Sequence, residues 1–580
     1  MACKDVVVRV AGEGGEGVIS VADILTRTAV NSGFDVFTFR SYPAEIRGGL
    51  AMMQVRISTS QIHSIGRGAD ILMAFNQEAI DGWGKPDDLT RDAVVLYDPR
   101  HATIPDNYPR RTVEVALHDT AMSATGARIN KNIVALAALV KAVDLPAKAA
   151  KDLVIKKFTR KGQEVVDKTL AAFEAGSSLL ADPALEPMRL EHAAVESAGN
   201  RIVISGNQAL SMGALTAGVR FVAGYPITPA TQVLEFMMRF LPGLGGKVVQ
   251  AEDEISAIAH CLGASFGGAR AMTATSGPGL CLMSELIGMA SMSELPVVLC
   301  DVMRSGPGTG MPTKTEQGDL MYAMHGSAGE APRIVIAPTS IEDCFYATIE
   351  AFNYAERFQM PVILLSDQSM AYRTKTVDIP DVQRIPPATR DTPTGEELAD
   401  YHRYRDTESG VSPMSVPGTD NGMYVMSGLE HDERGKANYT PAIRAQMMAK
   451  RYRKLDTLAA ELEANGNGCY EAVDGARVGV VGWGSTDGPI REGVARASAD
   501  GAMFAHMHPR VLMPLATEKV ERFLKPLDRI IVFEENFTGQ FAQHLRANVN
   551  MGNTEVIEVN QCSGLPFTSD DVFAELGKYV

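Results

Sequence analysis

The chain has 580 residues, a formal net charge of −15 and an apolar fraction of 45%, a length that exceeds one ordinary hydrophobic core and points to about three or four domains. The acidic balance excludes a general attraction to nucleic acid or to an anionic membrane, and no apolar run approaches the roughly 18 residues that span a bilayer. The opening MACKDVVVRVAGEGG lacks a charged segment followed by an apolar one, so the chain is expected to be cytoplasmic.

The seven cysteines are Cys3, Cys261, Cys281, Cys300, Cys344, Cys469 and Cys562. No two are spaced C-x-x-C and none sits in a Cys/His cluster, so no metal ligand set is expected from this chain alone. Cysteines in apolar stretches such as PVVLC and AIAHCLG are expected to be small buried thiols of a reducing compartment.

Strand-like and helix-like runs alternate almost throughout, the pattern of an α/β protein with largely parallel sheets. A first domain is predicted over 1–175: the strand VVVRVAG, a glycine turn, the helix VISVADILTRTAVNSG, the strands DVFTFRS, ILMAFN and AVVLYD, and a helical end. A polar linker follows over 176–199. A second domain is predicted over 200–375, with the strands RIVIS, KVVQA, ARAMTAT, LPVVLCDV, RIVIAP and MPVILLSD. Residues 376–437 form an irregular segment rich in Pro, Gly, Asp and Thr, of the kind that serves function or an interface. A third α/β domain, over 438–580, opens with the helix AIRAQMMAKRYRKLDTLAAELEANG.

Gly12, Gly14 and Gly17 fit a dinucleotide-type turn, but the second strand ends in Thr38, Arg40 and Ser41 where an acid should hold the ribose. Glu13 and Glu16 would also face a pyrophosphate with like charge. A tight crossover needing backbone freedom explains the glycines, and a nicotinamide-dependent dehydrogenase would rest on this turn alone. The segment SYPAEIRGG, with Arg47, Gly48 and Gly49, is a candidate interface loop.

In GYPITPATQVLEFM, Thr228 before Pro229 reads as a helix N-cap. The same geometry offers free N–H groups and a hydroxyl to a carboxylate. Glu252, Asp253 and Glu254 follow a strand and open an apolar helix, as dipole partners or as functional carboxylates. Arg304 heads the loop RSGPGTGMPTKTEQGDL at a strand's C-terminal end, where it can pair bidentately with a carboxylate or form an ordinary surface ion pair. Lys314 lies further out in that loop.

Together, YPITP, QAEDEISAIAHCLGA, TSGPG, RSGPGTGMPTKTEQGDL, GLEHDERGKANY and FEENFTGQF resemble the 2-oxoacid:ferredoxin oxidoreductase family, in the family's order and over nearly the whole chain. The resemblance implies a gamma-type N-terminal domain, a pyrimidine-type thiamine-diphosphate domain and a transketolase C-terminal-like domain. From the register of Gly263 and Ala264 it places the aminopyrimidine-binding glutamate at Glu254, with Pro226 and Ile227 beside the cofactor. Thr228 and Arg304 would hold the substrate carboxylate, with Tyr225 and Lys314 nearby. SYPAEIRGG departs from the commoner SYGPEARGG form.

What the family does follows as expectation. Thiamine diphosphate attacks the keto carbon of 2-oxoglutarate, carbon dioxide leaves, electrons pass singly to ferredoxin, and coenzyme A takes the acyl group as succinyl-CoA; the reverse carboxylation is the same chemistry run backwards. Pyruvate, branched-chain 2-oxoacids and indolepyruvate are the alternative substrates. The chain has no GDG motif for diphosphate and magnesium and no cysteine cluster for [4Fe-4S], so both are expected on a beta subunit in an (alpha-beta)2 assembly.

Overall fold

The computed structural model describes residues 3–41, 49–179, 188–191 and 200–580. Tyr42–Gly48 of the SYPAEIRGG segment, Arg47 and Gly48 included, and most of the 176–199 linker lie outside the described residues. No described helix is long and apolar enough to cross a membrane.

The chain divides into two compact units, of which the first comprises Met1–Ile204, Arg373–Ile379 and Thr568–Val572. It is built on an eight-stranded sheet. Across it run Arg111–Glu114, Leu89–Tyr97, Ala69–Ala74, Asp5–Glu13, Leu50–Ser58, Asp35–Ser41, Thr374–Asp378 and Arg201–Ser205. The sheet is mixed: the four strands from Arg111–Glu114 to Asp5–Glu13 pair in parallel, and Leu50–Ser58 pairs antiparallel with both Asp5–Glu13 and Asp35–Ser41. The first two strands therefore do not form the side-by-side parallel pair of a dinucleotide fold. At the glycine turn the Glu16 carboxylate accepts from the Glu13 N–H at 2.8 Å and from Asn76 Nδ2 at 3.2 Å, and it pairs with Lys131.

The second unit comprises Ser205–Tyr372, Pro380–Phe567 and Phe573–Val580. Its seven-stranded sheet has the order Val511–Met513, Ile334–Ile336, Pro361–Asp367, Val297–Met303, Ala271–Thr275, Phe221–Gly224 and Lys247–Gln250. All neighbours are parallel except the first pair. The central strands are buried along their whole length, which is why they read as unbroken apolar runs. A five-stranded sheet runs Gly468–Glu471, Phe504–Pro509, Val478–Val481, Arg529–Glu534 and Glu555–Asn560. One apolar core joins the two sheets, from Ile258, Leu299 and Leu365 to Val481, Val532 and Phe541.

Cys261, Cys300 and Cys344 are buried as expected, but Cys281 and Cys562 are exposed. Cys281 sits in a helix of six residues, Gly277–Leu282, and Cys562 in the turn after Glu555–Asn560, so neither is sealed.

The irregular segment 380–440 is held down by charge. Lys450 Nζ donates to both oxygens of the buried Glu294 at 2.8 and 2.7 Å, and Lys454 Nζ lies 2.6 Å from Oε2. Arg403, itself fully buried in that segment, donates to the Glu294 carbonyl at 2.7 Å. Burial alone would raise the Glu294 carboxyl; Lys450, Lys454 and Arg403 outweigh it and hold it well below the usual range. Glu294→Gln keeps the shape and leaves two ammonium groups buried without their counter-charge. Breaking a buried pair from one side costs about 3–5 kcal/mol, so the thermal midpoint of unfolding should fall by several degrees. An unchanged midpoint would show that the cluster is not what anchors the segment.

Candidate active site

The strands Lys247–Gln250, Phe221–Gly224, Ala271–Thr275 and Val297–Met303 are contiguous and parallel. The chain leaving their C-terminal ends carries Glu254, the 225–230 turn, the TSGPG turn and Arg304 respectively. Four motifs scattered through the sequence thus meet along one edge, where parallel sheets bind ligands.

Three acids in a row are sorted by the helix Glu254–Phe266. Asp253 is its N-cap, accepting from the Ser256 N–H at 2.7 Å. Glu252 is exposed ahead of it, and Glu254 turns inward and is 6% exposed. Among the described residues no donor reaches the Glu254 carboxylate. It lies against the TSGPG turn so closely that a Cβ on Gly279 would stand 2.8 Å from Glu254 Oε1. Only glycine leaves room there.

The 225–230 turn differs from expectation. The helix after it begins at Thr231 with Ala230 as cap and no side-chain capping bond, so Thr228 caps nothing. The turn is held through its carbonyls. Arg304 Nη1 donates to the Thr228 carbonyl at 2.7 Å, and Asn207 Nδ2 donates to that of Pro229 at 3.0 Å. The structure therefore brings Thr228 and Arg304 together. Tyr225 and Pro226 are exposed, and Ile227 is half-buried. Lys314 is half-buried further along the loop, where its carbonyl accepts from the Ser305 N–H at 3.0 Å. Burial lowers its ammonium.

Two acids that sequence reasoning missed complete the edge. Asp301, fully buried on the strand Val297–Met303, has no hydrogen-bond donor at either oxygen, and Asp319 Oδ2 is sealed and equally without one. Burial raises both, the nearby Asp319 carboxylate raises Asp301 further, and Arg304 pulls both back down. Asp319 also presses on the glycine turn, since a Cβ on Gly277 would stand 2.7 Å from its Oδ2. The TSGPG turn is thus bracketed by Glu254 and Asp319. Asn207 Oδ1, Ser276 Oγ and Arg304 Nε are further buried polar atoms without a protein partner. Such a concentration marks a surface built to meet a polar ligand. An acid ending the apolar run LPVVLCD was the one available signal for Asp301.

Residues 212–450 match the family model described as pyruvate flavodoxin/ferredoxin oxidoreductase, thiamine diP-binding, and residues 7–179 match that of pyruvate ferredoxin/flavodoxin oxidoreductase. The chain is 33% identical to the 2-oxoglutarate oxidoreductase subunit KorA of Mycobacterium tuberculosis, over 100% of this chain and 91% of that protein. It is 34% identical to the 2-oxoglutarate synthase subunit KorA of Methanothermobacter marburgensis, over 61% of this chain and 93% of that one. Among solved structures it is similar to the 2-oxoglutarate:ferredoxin oxidoreductase of Magnetococcus marinus with 2-oxoglutarate, coenzyme A and succinyl-CoA bound. That match has 39% identity and a TM-score of 0.94 over 99% of both chains.

The acid pair generates a pH signature. Asp319 is pushed up to about 6 in the fold, from an ordinary 3.8. The folded state thus binds its proton more tightly than the unfolded chain, and ionising it costs stability. The cost is complete above pH 6 and relieved as pH falls towards 4. At roughly 1.4 kcal/mol per tenfold change in acidity this amounts to about 3 kcal/mol. Asp319→Asn should be the more stable protein at pH 8, keep about half of that advantage at pH 5 and lose nearly all of it by pH 4. Thermal midpoints of both proteins across this range check it, and a pH-independent difference would mean that Asp319 does not titrate there.

Proposed function

The chain belongs to the 2-oxoacid:ferredoxin oxidoreductase family, and from that premise we propose that it is the alpha subunit of an enzyme that oxidatively decarboxylates 2-oxoglutarate to succinyl-CoA. The observation that carries this reading is the buried, donorless Glu254 carboxylate, backed by a glycine and lying on the same sheet edge as the Arg304–Thr228 contact. The substrate assignment is supported by the M. marinus enzyme and by the relatives named for 2-oxoglutarate.

Thiamine diphosphate, when bound, supplies the electron sink for decarboxylation. The residues present fit its aminopyrimidine end: Glu254, a buried acceptor, would take a ring N–H, and Pro226 and Ile227 would help hold the ring. Shielded from water, a charge-assisted hydrogen bond there is strong. The Arg304 guanidinium keeps a buried Nε unused after its bond to Thr228. It holds the carboxylate of the 2-oxoacid, with the Thr228 hydroxyl beside it and Tyr225 at the exposed rim. Lys314, its ammonium weakened by burial, would pair with a distal carboxylate. The diphosphate, its Mg2+ and the [4Fe-4S] cluster belong to a beta subunit, ferredoxin takes the electrons, and the assembly works in the cytoplasm. Residues 1–175 serve as the gamma-type domain.

Reconstitution with the beta subunit and a coenzyme-A-dependent dye-reduction assay across 2-oxoacids tests the whole reading. Glu254→Gln should lower kcat by roughly 10²-fold or more, in line with general acid–base contributions, while Glu252→Gln stays near wild type. A dead Glu252→Gln beside a normal Glu254→Gln would reverse the assignment. Arg304→Ala should raise KM for the 2-oxoacid far more than for coenzyme A, because loss of a buried carboxylate partner costs about 2–5 kcal/mol of binding. Equal effects on the two substrates would remove Arg304 from the carboxylate site.

A further inference from the structure

A second cluster lies on the five-stranded sheet. His506 and His508 are two residues apart on the strand Phe504–Pro509 and so share a face. Asp487 is the first residue of the helix Asp487–Ala499, which follows the neighbouring parallel strand Val478–Val481 through a short turn. The three side chains converge: Asp487 Oδ1 lies 4.0 Å from His506 Nε2 and 3.8 Å from His508 Nδ1. All three residues are at least 95% buried, at 5%, 2% and 0% exposure, and none of the three atoms has a protein hydrogen-bond partner.

Their outer contacts make this deliberate geometry rather than poor packing. His508 Nε2 lies 3.0 Å from the Gly484 carbonyl. A carbonyl only accepts, so the proton sits on Nε2 and Nδ1 turns a bare lone pair towards the Asp487 carboxylate. Two acceptors thus face each other in a dry site, an arrangement stable only with a cation or a donor between them. The far oxygen of Asp487 accepts from Arg491 Nε at 2.7 Å, and His506 Nδ1 faces Cys469 Sγ at 3.6 Å. Each inward atom is therefore oriented by a contact on its outer side, as metal-binding histidines and carboxylates are.

We propose that Asp487, His506 and His508 bind one borderline divalent cation, Zn2+ by its ligand chemistry. Two imidazoles and one carboxylate suit zinc and its neighbours, whereas magnesium and calcium call for oxygen sets. Ligands at roughly 2.0–2.1 Å from the ion would draw the 3.8 and 4.0 Å gaps together by about half an ångström. Arg491 offsets part of the carboxylate charge, so the site favours a metal that bonds to nitrogen over one held by charge. The ion would fix the turn at Gly484, and the carbonyl of Trp483 in that turn accepts from Gln317 Nε2 at 2.8 Å. It would steady the loop that carries Arg304 and Asp319 without touching substrate. The site is independent of the assignment of Glu254.

The test is metal uptake by the full chain after chelator treatment, with CoCl2 and ZnCl2 as probes. Wild type should take up one equivalent, show the visible d–d absorption of nitrogen-ligated Co2+, and melt at a higher temperature with Zn2+ than in chelator. Asp487→Asn, His506→Asn and His508→Gln, each checked for fold by circular dichroism, should weaken uptake at least about 10-fold. Folded wild type that takes up neither ion, as with a bridging water in the site, overturns the proposal, and so does undiminished uptake by folded variants. If the variants lose their fold, X-ray absorption at the zinc edge of loaded wild type decides: a shell without two imidazoles overturns the site.

Discussion

The candidate site rests on one buried side chain, Gln317. It is fully sealed, and every polar group it has is used. Its N–H donates to the Glu535 carbonyl at 2.6 Å, and its Oε1 accepts from the Glu535 N–H at 3.0 Å. Its carbonyl accepts from Asn536 Nδ2 at 3.3 Å, and its Nε2 donates to Trp483. Without its side chain the buried Glu535 N–H would lose its acceptor, at about 1–3 kcal/mol, while the Trp483 carbonyl would keep Thr486 Oγ1. Gln317 thereby fastens a glycine- and proline-rich loop to the end of the strand Arg529–Glu534. That fixes where Asp319, two residues on, meets the TSGPG turn.

The same edge shows how backbone and charge constrain each other. Gly277 and Gly279 lie in a turn pressed from both sides by carboxylates, so a side chain at either would displace an acid rather than merely crowd a core. One of those acids, Asp319, and Asp301 beside it sit where burial disfavours their charge. Arg304 pulls both back down but does not offset their burial. Such an arrangement lowers stability, and structures retain it where a ligand meets the charges.

The central strands of the seven-stranded sheet were legible in the sequence because a strand buried on both faces must be an unbroken apolar run, as VVLCDV and VILLSD are, whereas the short or edge strands Phe221–Gly224, Val511–Met513, Gly468–Glu471 and Glu555–Asn560 carry no such run. The motifs were legible because they fall where those runs end. Leu50–Ser58 and Thr374–Asp378 were not: the first is inserted antiparallel between Asp5–Glu13 and Asp35–Ser41, the second joins Asp35–Ser41 from more than 300 residues away, and neither advertises its register. Thr228 misled because a threonine before a proline is a good cap on local grounds, while the fold holds that turn from outside through Arg304 and Asn207. Asp301 and Asp319 are 18 positions apart and show no spacing signal. Asp487, His506 and His508 come from a helix start and a neighbouring strand, so only the sheet register assembles them.

That register also explains why the C-terminal α/β layer cannot act as a loose appendage. The strand Val511–Met513 leaves the five-stranded layer and adds antiparallel to the edge of the seven-stranded sheet, Met513 opposite Val335. One residue earlier, Arg510 is clamped by Asp343 and Glu350, each at 2.7 Å. Both contacts sit immediately after His506 and His508 on the same stretch of chain. A displacement of this layer would therefore move the Gly484 turn and the end of Arg529–Glu534 together, and with them both anchors of Gln317. The position of Asp319 against the glycine turn, and through it the setting of Arg304, is decided as much by the edge pairing at Val335 as by any residue that faces the site.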